Sequence, residues 1–239
     1  VRVLQFMEHY PNSYYFNSIN RSLVKHETLN GDYHCDVCVI GGGFSGLSTA
    51  IEAAKLDLSV ILIEKNKIAW GASGRNGGQI FPDVSWGIDK IESKYGYDLA
   101  RKIWDISING VNLIDERIKE FNIDCDKKSG GILAATNSRK FKEFEEEKEY
   151  LSKKYKFNHS EILDKKDIER EIGSKRYFGG FLFKNAGHLH PLKYALGLAD
   201  AALSLNVKIF ESSPALKINN GKNSIEIISN AGKVTAKNL

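Results

Sequence analysis

The sequence predicts an α/β fold built on a parallel sheet, and three observations carry that prediction. Residues 36–40 (DVCVI) form a short, unbroken apolar run, the pattern of a strand covered on both faces. A glycine cluster follows. After it, Leu47, Ala50, Ile51 and Ala54 recur at helical spacing along one face of residues 44–56. Residues 59–64 (SVILIE) make a second buried-strand run. Strand, helix and strand within about 30 residues is a βαβ unit, whose crossover is right-handed.

The other elements follow in order from their patterns. Residues 1–34 are polar and aromatic with no sustained period, and read as an irregular arm. Residues 100–121 set Ile103, Ile106, Ile114, Ile118 and Phe121 on or near one side of a helix. Residues 130–136 (GGILAAT) read as a strand, 138–155 as a highly charged helix, 164–171 as a shorter helix, and 178–183 (FGGFLF) as a strand. Pro191 opens a helix reaching residue 205, since proline suits a first helical turn. Four short strands follow, VKIFES, ALKI, SIEIIS and KVTAKNL. The last runs to Leu239 without a turn or cap, so the expectation is the first part of a longer protein.

Composition narrows the classes of function. The 239 residues are 42% hydrophobic and 27% charged, which is ordinary globular usage with room for one large domain or two modest ones. Net charge is +4, from 34 basic and 30 acidic residues. In 141–154 (FKEFEEEKEYLSKK) lysine alternates with glutamate, which is a solvated helix face and not a nucleic-acid patch. No nucleic-acid partner is expected. The three cysteines, Cys35, Cys38 and Cys125, are an odd count that argues against a disulfide framework and fits a reducing compartment. Cys35 and Cys38 form a C-x-x-C, but on a strand positions i and i+3 face opposite ways, and no second pair exists, so no metal site is expected. No run approaches the roughly 20 apolar residues of a membrane span. The opening stretch VRVLQFMEHYPNSYY has no apolar signal-peptide core, which makes the cytoplasm the default compartment.

The chemistry lies in residues 41–46 (GGGFSG), a G-x-G-x-x-G between a strand and a helix. Gly41 makes the tight turn, Gly43 lets a diphosphate approach the backbone, and Gly46 lets the helix pack on the strands. The helix N-terminus, at Phe44 and Ser45, then offers free N–H groups and partial positive charge to the diphosphate. Glu64 closes the next strand, where an acidic side chain accepts hydrogen bonds from ribose hydroxyls and disfavours a 2′-phosphate. That combination predicts a Rossmann-type dinucleotide domain without NADP.

A second cluster, residues 71–79 (GASGRNGGQ), stands where a plain NAD domain tends to enter another crossover helix. Its backbone amides, with Ser73, Arg75 and Asn76, could hold the far side of a diphosphate and a flavin ring. With 41–46 and Glu64, this segment resembles the FAD-dependent amine and amino-acid oxidases of the D-amino-acid oxidase superfamily. SYYFNSIN, CDVCVIGGG, IDCDKKSGGI, AGHLHPLKYALGLADAA and GKVTAKNL extend the likeness in the same order over nearly the whole chain.

The resemblance implies a Rossmann-type FAD-binding domain with an inserted α+β substrate domain, truncated at its C-terminus. The expected division is an arm over 1–34, the FAD domain over 35–122 and 188–239, and the first part of the substrate domain over 123–187. The implied FAD-binding set is Gly41, Gly43, Phe44, Ser45, Gly46, Glu64, Lys65, Gly71, Ala72, Ser73, Arg75, Asn76, Gly77, Gly78 and Gln79. Ala215 joins it through backbone groups at the adenine. The implied substrate is a small amine oxidised at a C–N bond, with dioxygen or another electron acceptor. A sarcosine, glycine or other amino-acid oxidase, and a non-catalytic FAD-binding subunit, are the alternatives. No general base is named, because an amine that binds neutral demands none. His188 and His190 have two readings: both border the active site, as the resemblance implies, or His190 caps the next helix while His188 packs. Trp70, Trp86 and Trp104 read as packing residues. Asp57, Ala69 and Ala186 stand where the family often has glycine, which bears on loop detail and not on the cofactor.

Overall fold

Strand pairing, more than local pattern, decides where the elements begin. The structure is a computed structural model and describes residues 9–82 and 84–239; residues 1–8 of the expected arm lie outside the described residues. A short helix α1 (Tyr14–Asn17) precedes β1 (Asn30–Ile40), α2 (Phe44–Lys55) and β2 (Val60–Ile63). Then come β3 (Gln79–Ile80), α3 (Ile88–Tyr95), α4 (Tyr97–Glu120), β4 (Lys128–Ala135), α5 (Ser138–Tyr155), β5 (Ser160–Leu163), α6 (Lys165–Ile172) and β6 (Gly179–His188). The chain continues through α7 (Pro191–Ser204), β7 (Lys208–Phe210), β8 (Lys217–Asn220), β9 (Ile225–Ile228) and β10 (Ala231–Asn238). The strand expected over 36–40 starts at Asn30, because residues 30–37 pair in parallel with β10. Only its second half, from Val37, pairs with β2.

The contacts divide the chain into two units. The first comprises Val1–Gly77, Arg117–Cys125 and His190–Leu239. Its sheet has the order β7-β2-β1-β10-β9-β8, parallel across the first four strands and antiparallel across the last three. Leu29, Cys35, Cys38, Ile61, Ile63, Phe210, Ile227, Val234 and Ala236 form one apolar cluster there. Burial pushes the Cys35 thiol up to about 11 and the Cys38 thiol up to about 12, so both act as small core hydrophobes. Helix α2 buries Leu47, Ala50 and Ile51, the face expected from its period. Helix α7 is buried almost all round, which its alanine- and leucine-rich sequence permits.

The second unit comprises Gly78–Glu116 and Asp126–Leu189. It holds the sheet β3-β6-β4, with β5 also on β6. Ile88, Ile91, Ala100, Trp104, Phe144, Leu151, Tyr155, Phe181 and Phe183 belong to its core. Asn137 and Asp164 cap α5 and α6, each side chain accepting from backbone amides of the first turn. Residues 78–116, expected with the FAD domain, group with this unit because β3 pairs with β6 and because the apolar faces of α3 and α4 enter this core. The two-residue β3 and four-residue β5 are not among the strands the sequence predicts.

Two of the three glycine departures lie in left-handed backbone, Asp57 with φ 59° and Ala69 with φ 56°. Asp57 closes α2 in the open, where a short polar side chain is tolerated. Ala186 is 1% exposed in β6 and packs in the second core.

Candidate cofactor site

Each glycine of the first cluster has its own reason to be bare. Gly41 leaves β1 with φ 104°, a conformation that only glycine adopts freely, and its N–H donates to Ile63 O at 2.8 Å. A Cβ on Gly41 would meet nothing within 4 Å, so the turn opens onto a cradle. A Cβ on Gly46 would stand 1.9 Å from Gly41 O, and one on Gly43 would stand 2.9 Å from Ser73 Oγ. Gly42, the variable position of the motif, is constrained as well: Ile68 Cδ1 comes within 2.4 Å of where its Cβ would be.

The second cluster answers the first. Ala72, Ser73 and Gly74 form a 3₁₀ turn, and Ser73 Oγ accepts from Phe44 N at 3.1 Å, the first amide of α2. Ala69 N–H donates to Gly42 O at 2.8 Å, while Gly74 is bare because Ala69 O would lie 2.3 Å from its Cβ. The two glycine runs therefore close on each other through Ala69. Arg75 Nε donates to Gly71 O, and its guanidinium lies 4.8 Å from the Trp70 ring centroid. Asn76 Nδ2 donates to Ala72 O and Ser73 O.

Glu64 follows β2, and its carboxylate orders the turn directly. Oε2 accepts from Gly42 N at 2.8 Å and Oε1 from Asn66 N at 2.8 Å. A carboxylate has about four acceptor sites, so both oxygens retain capacity for ribose hydroxyls. Gly43, Glu64, Lys65, Asn66 and the run from Ala69 through Ser73 line a cavity of about 310 Å³. Lys65 is exposed at its rim. A bare turn, a helix N-terminus and nearby cations fit a dinucleotide diphosphate.

Other expected positions fall elsewhere. Gly77 ends the first unit, whereas Gly78 and Gln79 belong to the second. Gln79 pairs with His188 across β3 and β6, and Gly78 O accepts from Leu189 N, so residues 71–79 do not act as one loop. His188 ends β6 and is exposed. His190 is 7% exposed and caps α7, its Nδ1 accepting from Lys193 N at 3.1 Å. That leaves Nε2 to donate to Ser18 Oγ at 3.0 Å. The two histidines are thus not a pair on one strand face, because the strand stops at His188. Ala215 is half-buried against the first unit's apolar cluster.

Several residues escaped the sequence reading. Trp70 lines the cavity instead of only packing, and Trp86 is 49% exposed, while Trp104 is buried as expected. Glu211, just after β7, is 3% exposed and accepts from Ile68 N at 2.7 Å and Lys67 Nζ at 3.0 Å. Ser212 N and Ser213 N donate to Asn66 O and Glu64 O. No local pattern marks Glu211; only the fold brings it beneath the Glu64 loop.

A family model described as DAO, FAD dependent oxidoreductase, matches residues 36–237. The chain belongs to the DAO family. FAD is the cofactor of that family. Among DAO relatives, the chain is 40% identical over 231 residues to gamma-glutamylputrescine oxidoreductase of Escherichia coli (strain K12), covering 97% of this chain and 54% of that protein. It is also 40% identical over 215 residues to a probable oxidoreductase OrdL of Haemophilus influenzae, covering 90% of this chain and 50% of that one. The chain thus spans about half the length of these curated relatives. L-amino acid deaminase from Proteus myxofaciens, solved in complex with anthranilate, has a TM-score of 0.76 at 20% identity, covering 92% of this chain and 47% of that one. Glycine oxidase from Geobacillus kaustophilus has a TM-score of 0.68 at 19% identity, with 86% and 54% covered. Both share the DAO fold. Among the described residues, no helix is long and apolar enough to cross a membrane.

Proposed function

We propose that this protein is an FAD-dependent oxidoreductase that oxidises a C–N bond of a small amine such as gamma-glutamylputrescine. The product is an imine that water hydrolyses to an aldehyde, and dioxygen is the electron acceptor. The observation that carries the substrate class is the 40% identity with gamma-glutamylputrescine oxidoreductase across 97% of the chain. FAD supplies the two-electron acceptor for the C–N oxidation.

The residues of this chain bind and orient that group. The amides at Ser45 and Gly46 would hold the diphosphate, helped by a partial charge of about +0.5 at the helix N-terminus, while Ser73 Oγ holds the Phe44 amide. Gly41 and Gly43 allow its close approach. Glu64 accepts from the ribose, Lys65 and Arg75 balance negative charge, and Ser73 and Asn76 order the second turn. Gly71, Ala72 and Gly77 keep that turn's backbone accessible, and Ala215 lies toward the adenine. Gly78 and Gln79 start the strand that leads into the second unit, the beginning of the substrate domain. His188 borders the active site, and His190 holds the start of α7. A neutral amine needs no general base.

The test takes purified full-length protein, identifies the released chromophore, and adds amines without oxygen. The expected result is FAD whose yellow absorbance bleaches with gamma-glutamylputrescine and returns with air. Colourless protein that binds NAD tightly would remove the cofactor reading. Bleaching by sarcosine or glycine alone would move the substrate to amino acids, and FAD that no amine bleaches would indicate a non-catalytic subunit.

A further inference from the structure

We propose that the arm segment from His9 to Arg21 is a latch on the cofactor turn, with Tyr10 its positioning residue. The inference rests on the reading that the cradle around Gly41 and Gly43 holds FAD. Tyr10 Oη donates to Ile68 O at 2.8 Å. The N–H at the other end of that same peptide unit, on Ala69, donates to Gly42 O at 2.8 Å. One peptide plane is therefore gripped at both ends, by the arm and by the glycine turn. A hydrogen bond accepted at the carbonyl polarises the peptide and strengthens the one its N–H gives.

This peptide has reason to need a grip. Ala69 sits at φ 56°, where an L-residue is strained and a flip of the plane relieves it. Ile68 is fully buried, and its Cδ1 fills the space over Gly42. A flipped plane would withdraw the partner of Gly42 O and unseat the turn that receives the diphosphate. Next along, Trp70 Nε1 donates to His9 O at 3.2 Å, so the arm holds both sides of Ala69.

The arm has anchors of its own besides Tyr10. Ser18 Oγ meets His190 Nε2 at 3.0 Å, Tyr15 packs edge-on against the His190 ring, and Arg21 pairs with Asp200 at 2.6 Å. Tyr10 stacks on Phe16 with centroids 5.2 Å apart, which fixes the direction of its hydroxyl. Burial, and then the carboxylates of Glu211 and Glu64, push the phenol pKa upward, so the hydroxyl keeps its proton.

The test compares FAD release from full-length holo-protein, followed by the rise in flavin fluorescence, for wild type, Tyr10→Phe, Ser18→Ala and Tyr10→Phe with Ala69→Gly. The expected result is release about fivefold faster in Tyr10→Phe, the effect of one lost hydrogen bond. Ser18→Ala, which loosens the arm and leaves the Tyr10 hydroxyl in place, should also release faster. Glycine at position 69 adopts positive φ without strain, so the double variant should return toward the wild-type rate. Stabilisation of the apo-protein by added FAD should shrink in Tyr10→Phe, which a purely structural role would not produce. Equal release from wild type, Tyr10→Phe and Ser18→Ala overturns the latch alone. If Tyr10→Phe does not fold, unchanged release from Ser18→Ala overturns it. Wild-type protein that retains no FAD overturns the cofactor reading, and the latch with it.

Discussion

Gly46→Ala is expected to abolish FAD retention and to lower stability by about 3 kcal/mol or more. The added methyl would lie 1.9 Å from the carbonyl oxygen of Gly41 and 3.3 Å from Val39 Cγ1. The nearer clash is with backbone, so no rotamer change relieves it. Either α2 moves off β1, or Gly41 leaves the conformation that makes the turn. Both break the cradle. Gly110→Ala is the matched comparison, since Gly110 lies within α4 and a methyl there meets nothing within 4 Å. It should gain up to about 1 kcal/mol from helix propensity alone. FAD content after gel filtration and urea midpoints of both variants check the pair. Wild-type FAD content in Gly46→Ala would mean that α2 and β1 are not in this contact.

The second large effect is expected at Glu64. Glu64→Ala should weaken FAD binding by tenfold or more, because hydrogen bonds to a charged group are worth about 1.5–3 kcal/mol each. It should also destabilise the protein without cofactor. Gly42 N–H and Asn66 N–H both donate to this carboxylate at 2.8 Å and would lose their acceptor. Glu64→Gln keeps the shape but turns an NH₂ group toward one of the two amides, so it should rescue little. Titration of apo-protein with FAD, beside urea unfolding of the same apo-protein, separates the two roles. Weaker FAD binding with unchanged apo stability would leave Glu64 as a ribose ligand only. No change in either would reduce it to a strand-end charge.

Sequence alone carries the chemistry written at short range. A strand, a G-x-G-x-x-G and a helix are neighbours along the chain, and their residue types carry steric and electrostatic demands that need no tertiary context. Helices α2, α5 and α7 follow from period, charge pattern and Pro191, and their ends agree with the expectation within a residue. The family was legible for the same reason, because 41–46, Glu64 and 71–79 lie in one short span.

Tertiary structure alone decided the rest, because a hydrogen-bond ladder between distant segments leaves no local period. β1 reaches back to Asn30 since β10 offers it a parallel edge, and β3 and β5 exist only as partners of β6. That same pairing separates Gly78 and Gln79 from the turn before them. Burial decided His190: its ring points inward because α7 needs an N-cap and Ser18 is there to receive the other nitrogen. Gly42 counts as variable in the motif, yet Ile68 comes from beyond β2 to occupy the space its side chain would need. Glu211 and Tyr10 lie far from Ile68 in sequence, and only the folded chain sets one on its N–H and the other on its carbonyl.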